Sequence, residues 1–506
     1  MPILDERKRI GEFIAALRQQ KKITQTEFAR RLKTSQSAVA RMETGQQNFS
    51  TGMLAKISRV LNQEIITLAD RQMSFKIQGG QRLSGCIAVK SSKNAAVALL
   101  CASLLNKGLT RLKNVPKIEE VYRIIEVLES LGVKVKWQNS DLEIKPPSKF
   151  AIEKINKQAA IKTRSMLMLI GPLSHLIKHF VLPLAGGCRL GRRTIRPHLY
   201  ALEKLGVQIL TVHDRYEIKV RGLKASEVVL YETGDTVTEN VLMLAAKIPG
   251  TTHIKLASSN YMVQDVCHFL QRLGVRIEGV GSAELIVHGS EKINKNVEYT
   301  IGEDPIEAML FLSLAATTNS SIEIQRCPVD FLQLELLKLE KMGFKYKILK
   351  SYKSQNGFTN LADIKTFPSR LLALEEKIHP LPGSAGINID NLPFFVPVAT
   401  QARGSTLIHD WVYENRAVYY MELNKLRANI ILADTHRVYI EGPSELKGAE
   451  VVCPPALRPA AIILIAMLAA KGESILRNVY SINRGYEGLV SRLKSLGADI
   501  EILHGI

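Results

Sequence analysis

Residues 182–197 read LPLAGGCRLGRRTIRP, a single cysteine set among glycines and four arginines. A thiol beside guanidinium groups ionises more readily than a free one, because those cations stabilise the thiolate. Cys188 is thereby a candidate acid or nucleophile. Gly186, Gly187 and Gly191 let the backbone bend, and Arg189, Arg192, Arg193 and Arg196 offer forked donors that suit phosphate or carboxylate. The same composition also fits a solvated basic loop.

The rest of the chain must supply elements that position such a loop. With 506 residues, 46% of them hydrophobic, it can bury more than one core, and its length suggests about three domains. The net charge of +20 calls for an anionic partner: nucleic acid, a membrane surface or a phosphorylated substrate. The first seventy residues carry twelve Lys or Arg against seven Asp or Glu, so most of the surplus lies in the remainder. Six dispersed cysteines without CxxC or Cys/His clustering favour reduced thiols in a cytoplasmic protein and argue against structural zinc. The charged start MPILDERKRIGEF is unlike a signal peptide, and His175, Lys178 and His179 break the apolar stretch from Met166 to Leu184. No membrane span, metal or cofactor is expected.

Residues 1–70 form a module of short amphipathic helices. Within it, TQTEFARRLKTSQSAVARMETG has the layout of a helix-turn-helix, with Thr24 and Glu27 as a capping box, Ser35 capping the next helix and Gly45 ending it. Gln36, Ser37 and Arg41 then face outward, as residue types that reach base edges and phosphates in a major groove. The segment resembles the bacterial repressor-like helix-turn-helix family. That resemblance implies DNA as a partner and a homodimer to bind it; a helical domain for dimerisation or substrate gating is the alternative.

The remainder is built on a repeat. A turn that ends an apolar helix and opens a strand recurs at Gly132, Gly206, Gly274, Gly343 and Gly497, and NKLRANIIL places Arg427 at the same point of a sixth copy. The interval is about 70 residues, except for 84 between Gly343 and Arg427. Six helix-and-strand units make a large α/β protein. The absence of GxGxxG after an early strand and of GxxxxGK[ST] excludes a Rossmann or P-loop site.

Four motifs in order, SSKNAA at 91–96, GGCRLGRR at 186–193, YENR at 413–416 and NRGYE at 483–487, resemble those of the enolpyruvyl transferases, in particular the members acting on UDP-N-acetylglucosamine. The resemblance spans about 430 residues from Ser74 onward. It implies six βαβαββ units in two globular domains, one of residues 71–92 and 303–506, the other of 93–302 with the cysteine loop as a lid, preceded by the all-α module. It further implies transfer of the enolpyruvyl group of phosphoenolpyruvate to the 3-hydroxyl of UDP-N-acetylglucosamine, with release of phosphate, in peptidoglycan precursor synthesis.

By the same resemblance Cys188 is the acid, Asp390 in INIDNLPFF takes the acceptor proton, and Lys93 is catalytic. Asn94 binds the acceptor sugar, Val412 is a further substrate-binding residue, and Arg164, Arg193, Arg416, Arg458 and Arg484 bind substrate anions. Several positions depart from the family pattern. Arg196 stands where an aspartate is expected, TGDTVTEN at 233–240 replaces the nucleotide segment, Ala456 replaces another aspartate, and LPGSAGINID extends the chain before Asp390. A different nucleotide or sugar acceptor therefore stays open. So does a DNA-binding regulator that uses the transferase body as a ligand sensor.

Overall fold

A computed structural model describes residues 4–21, 23–47, 49, 51–61, 73–184, 186, 194–381 and 386–504. The chain divides into two compact units. One contains Met1–Ser74, Arg477–Tyr480 and Ile502–Ile506, the other Phe75–Leu476 and Ser481–Glu501.

In the first unit four helices, Leu4–Gln20, Gln25–Leu32, Gln36–Glu43 and Thr51–Leu61, enclose Ile14, Phe28, Val39, Met42, Ile57 and Leu61. Thr24 Oγ1 accepts from the Glu27 amide and Ser35 Oγ from the Ala38 amide, so each hydroxyl satisfies a helix-start N–H that has no partner within its helix. The expected capping box is only half made. The Glu27 carboxylate turns outward to Arg30 and Arg31, because two cations one turn along attract it more than one neutral amide. Arg18 is buried against Glu43 through two nitrogens, at 2.6 and 3.0 Å, and also donates to the Ile23 carbonyl. Gly45 takes φ of +73° just beyond the third helix. Gln36, Ser37 and Arg41 are exposed on that helix, and the Gln36 amide donates to Gln25 at 2.7 Å.

The described residues of the second unit take part in six sheets of three or four strands; in five the last strand of the copy lies between the two before it, and in the sixth the strand Met73–Gly79 takes that place. The copy from Glu227 to Gly289 shows the plan. Strand Glu227–Val229 leads to helix Asp235–Ala245, a parallel strand Gly250–Lys255, helix Tyr261–Arg272 and then the hairpin Arg276–Glu278 with Glu284–Gly289, whose second strand pairs antiparallel to Gly250–Lys255. The repeated turn is left-handed in every copy: φ is +91° at Gly132, +96° at Gly206, +99° at Gly274, +86° at Gly343 and +92° at Gly497. Arg427 adopts +67° at the sixth, so the conformation survives where glycine is replaced.

Helices with no polar face lie inside. Ala95–Ala102 are all buried, and so is every residue of Pro305–Thr317. Helices Lys93–Ala102, Asp235–Ala245 and Tyr261–Arg272 pack together in one half of this unit, while Pro305–Thr317, Phe395–Ala399 and Leu457–Ala469 pack together in the other. The chain crosses twice between the halves. Strand Ser84–Ala88 runs parallel to Ser321–Cys327 of the second half, and Val297–Thr300 runs parallel to Thr110–Lys113 of the first. The crossing segments pair with each other, Ser92 N donating to Gly302 O and Asp304 N to Lys90 O, both at 2.8 Å. No described helix is long and apolar enough to cross a membrane.

Candidate active site

The crossing segments deliver the first cation. Ser92 caps helix Lys93–Ala102 by accepting from the Ala95 amide, which places Lys93 at a helix start whose free N–H groups favour anions. Lys93 Nζ lies 3.5 Å from Glu120 Oε2, and Arg484 Nε, from the second half, lies 3.9 Å from the same oxygen. The other Glu120 oxygen accepts from Thr163 at 2.9 Å. Burial pushes the Glu120 carboxyl up, but Lys93, Arg484 and Thr163 outweigh it and hold the group below its usual range. Two cations thus share one anion, leaving an excess positive charge. Arg164 is next in chain to Thr163 and donates to the Thr194 carbonyl at 3.0 Å, just beyond the cysteine segment.

The second half contributes Asp390. Arg458 NH2 donates to its Oδ2 at 3.2 Å, and Arg416 NH1 stands 3.8 Å from its Oδ1. Burial raises the Asp390 carboxyl, yet Arg458, Arg416 and Lys93 together bring it below its ordinary value. Arg458 spends its other terminal nitrogen on the Tyr486 hydroxyl at 2.7 Å, and its guanidinium lies over that ring. The nearby Asp304 carboxyl is pushed up by burial to about 6, with Arg458 opposing.

Arg416 is differently engaged from a simple ligand for substrate. It is buried, grips Asp410 through Nε at 2.5 Å and NH2 at 2.8 Å, donates to the Ile389 carbonyl and stacks on Tyr413. Its main contacts fix the chain next to Asp390. Asn94 Nδ2 is 3.4 Å from the Tyr261 hydroxyl, and Val412 is half-buried in the bend between Asp410 and Arg416.

The structure thus brings Lys93, Asn94, Arg416, Arg458, Arg484 and Asp390 to the region where the halves meet. Cys188 and Arg193 lie outside the described residues. On the near side of that segment, Gly186 packs so closely that a Cβ would stand 1.6 Å from the Ile161 carbonyl oxygen. Arg196 opens helix Arg196–Lys204. Ala456 is the cap position of helix Leu457–Ala469 and makes no side-chain cap, where an aspartate could have accepted from a first-turn N–H.

Sequence reasoning passed over Glu120, Asp304, Asp410 and Tyr486. Tyr486 belongs to the NRGYE motif and was within reach. Glu120 reads as an acidic first helical turn, and Asp410 carries no local signal; only the fold joins them to Lys93 and Arg416.

Six repeated α/β units in two halves, with Arg416 and Arg458 gathered at the half-buried Asp390, define an α/β class with a cluster of charge where the halves meet. The family described as EPSP synthase (3-phosphoshikimate 1-carboxyvinyltransferase) matches residues 77–493, and a helix-turn-helix family matches residues 14–68. The UDP-N-acetylglucosamine 1-carboxyvinyltransferase of Treponema denticola is 35% identical over 440 residues, covering 85% of this chain and 99% of its own. That of Bradyrhizobium diazoefficiens is 32% identical over 430 residues, covering 85% and 98%. Among solved structures, the enolpyruvyl transferase NikO from Streptomyces tendae superposes with a TM-score of 0.74 at 23% identity, covering 86% of this chain and all of that one. The chain belongs to the EPSP synthase family and is an enolpyruvyl transferase with an amino-terminal helix-turn-helix domain.

Proposed function

We propose that this chain transfers the enolpyruvyl group of phosphoenolpyruvate to the 3-hydroxyl of UDP-N-acetylglucosamine, the acceptor in the names of its bacterial relatives, and so serves peptidoglycan precursor synthesis in the cytoplasm. The observation that carries the reading is the pairing of an ionised Asp390 with the excess positive charge around Lys93 and Arg484. Lys93, Arg458 and Arg484 hold the phosphate and carboxylate of the donor, preorganised for the charge that develops during addition. The acceptor oxygen bonds the central carbon of the enol, its proton passes to Asp390, and the methylene takes a proton from Cys188. Breaking the bond to the phosphate oxygen, with loss of a methyl proton, regenerates the double bond and releases phosphate.

The donor's charge serves this chemistry. Once it binds, its anions offset the cations that depress Asp390, so the carboxylate becomes a stronger base when it is needed. Phosphate release from phosphoenolpyruvate that depends on UDP-N-acetylglucosamine tests the assignment. Release only with another acceptor transfers it to that substrate, which the departures at Arg196 and at TGDTVTEN, residues 233–240, favour. Tight ligand binding without turnover leaves the sensor.

The helix-turn-helix acts on DNA as a homodimer, with Gln36, Ser37 and Arg41 presented to the duplex; their exposure on one short helix supports this. Binding to a palindromic duplex that weakens steeply with salt and disappears on removing residues 1–70 is the test.

A further inference from the structure

The turn that carries Asp390 is pinned through its backbone. Asn388 O accepts from the amides of Asn391 and Leu392, at 2.9 and 3.1 Å. Both polar atoms of the peptide joining Ile389 to Asp390 are bound as well: the carbonyl accepts from Arg416 NH2 at 2.7 Å, and the N–H donates to Asn388 Oδ1 at 2.9 Å. A planar peptide held at both ends fixes the direction in which the next side chain leaves the chain.

A second buried charge grips this turn from another element. Glu335, in the first turn of helix Gln333–Lys341, accepts at a single oxygen, Oε1, from the Asn388 amide at 3.0 Å and from Asn391 Nδ2 at 2.8 Å. It thereby holds the residues on both sides of the Ile389–Asp390 pair, and Asn391 is fully buried. A carboxylate taken out of water is costly unless its oxygens are satisfied, and here the donors come from the turn of the base. Burial pushes the Glu335 carboxyl up, while the bonds from Asn391 and Asn388 oppose that rise. Opposite charges therefore share the turn: Arg416 donates to its carbonyl, and Glu335 accepts from its N–H groups. The segment leading into it is the extension LPGSAGINID, and a longer connection costs more chain entropy to order, which an anchor at its end offsets.

Building on the reading of enolpyruvyl transfer, we propose that Glu335 is a positioning residue for that reaction: through Asn388 and Asn391 it holds the turn so that the Asp390 carboxylate meets the acceptor hydroxyl. Its effect falls on proton transfer, which depends on the distance and angle between base and hydroxyl, and not on the binding of phosphoenolpyruvate.

The experiment uses the full chain and steady-state phosphate release. With whichever acceptor supports release, Glu335→Ala lowers kcat by about tenfold or more and leaves the KM for phosphoenolpyruvate within about twofold. Glu335→Gln, which keeps one oxygen for both N–H groups, returns kcat to within about threefold of the parent. Asn391→Ala, which leaves the Asn388 amide bound, falls between the two, and combining it with Glu335→Ala lowers kcat no further than Glu335→Ala alone. A kcat for Glu335→Ala within about twofold of the parent, or a Glu335→Gln variant no better than Glu335→Ala, overturns the assignment. Hydrogen exchange separates positioning from folding and needs no turnover. In Glu335→Ala the amides of Asn388, Asp390 and Asn391 exchange faster, while those of helix Leu457–Ala469 keep the parent's protection. Unchanged protection in the turn overturns the clamp, and loss of protection in both places marks Glu335 as a residue of the fold alone and overturns it too. Absence of phosphate release by the parent with UDP-N-acetylglucosamine or another nucleotide sugar refutes the transfer reading instead, and the exchange result then decides the clamp by itself.

Discussion

Arg458 binds Asp390 with one terminal nitrogen, at 3.2 Å, and the Tyr486 hydroxyl with the other, at 2.7 Å, so a single buried guanidinium fixes both the orientation and the charge of the carboxylate. Lysine would retain the charge but could not span both partners with a planar fork. Arg458→Lys should lower kcat for phosphate release about tenfold or more, in line with the roughly 1.5–3 kcal/mol attributed to a hydrogen bond with a charged group. Asp390→Asn should lower it by about 10²–10⁴, the range for loss of a positioned base. Equal kcat values for parent and Asp390→Asn would exclude Asp390 as the base.

The buried acids impose opposite pH dependences. Glu120 and Asp390 titrate below their ordinary values in the folded chain, so the stability they contribute is complete above the ordinary carboxylate range and is lost as pH falls through their depressed pKa values. Asp304 is raised to about 6. Between its ordinary pKa and 6 the folded chain holds a proton that the unfolded chain has released, so Asp304 costs stability as pH rises through that window, by about 3 kcal/mol at most. Asp304→Asn, which keeps an oxygen to cap the Ile306 amide, should flatten the fall in denaturation midpoint between pH 4.5 and 7.5. An unaltered pH profile would refute the raised carboxyl.

Arg427 and Gly497 occupy the same turn in different copies of the repeat, at φ of +67° and +92°. Arg427→Gly removes a left-handed penalty of about 1 kcal/mol, offset in part by the greater freedom of glycine in the unfolded chain, and should raise the unfolding midpoint slightly. Gly497→Ala should lower it by roughly 1 kcal/mol, since a Cβ there meets nothing within 4 Å and only the backbone is penalised. Chemical denaturation of the two variants, compared with the parent, reads both signs.

In the helix-turn-helix, Glu43→Ala would leave Arg18 buried without its carboxylate. The expected loss is about 3 kcal/mol, as for removal of one member of a buried ion pair. Hydrogen exchange should show faster labelling across residues 4–61, and any DNA retention should fall with it. Protection equal to the parent's would mean that Gln25 and water replace the pair.

Much of this molecule was legible in the chain itself. The recurring helix-to-strand turn announced six units even where Arg427 had replaced glycine, because the periodic apolar helix before the turn and the alternating strand after it are local signals. Thr24, Ser35 and Gly45 marked helix ends for the same reason: capping is decided within a few residues. The motifs around Lys93, Arg416 and Arg484 carried the resemblance to the family, since each is a short run of adjacent residues.

Tertiary structure alone decided what each charge does. Arg416 gives Nε and NH2 to Asp410 and the Ile389 carbonyl, contacts that no local pattern foretold. Glu120 looked like a helix-start acid and proves to tie Lys93 to Arg484, a residue 391 positions beyond Lys93 in the chain. Asp235, Asn260 and Asn388 share no sequence pattern, yet join across the two halves. Hydrophobic periodicity and caps act over one or two turns and are written locally. Ion pairing and pKa depend on distances of a few ångströms between segments that meet only after the six sheets have packed.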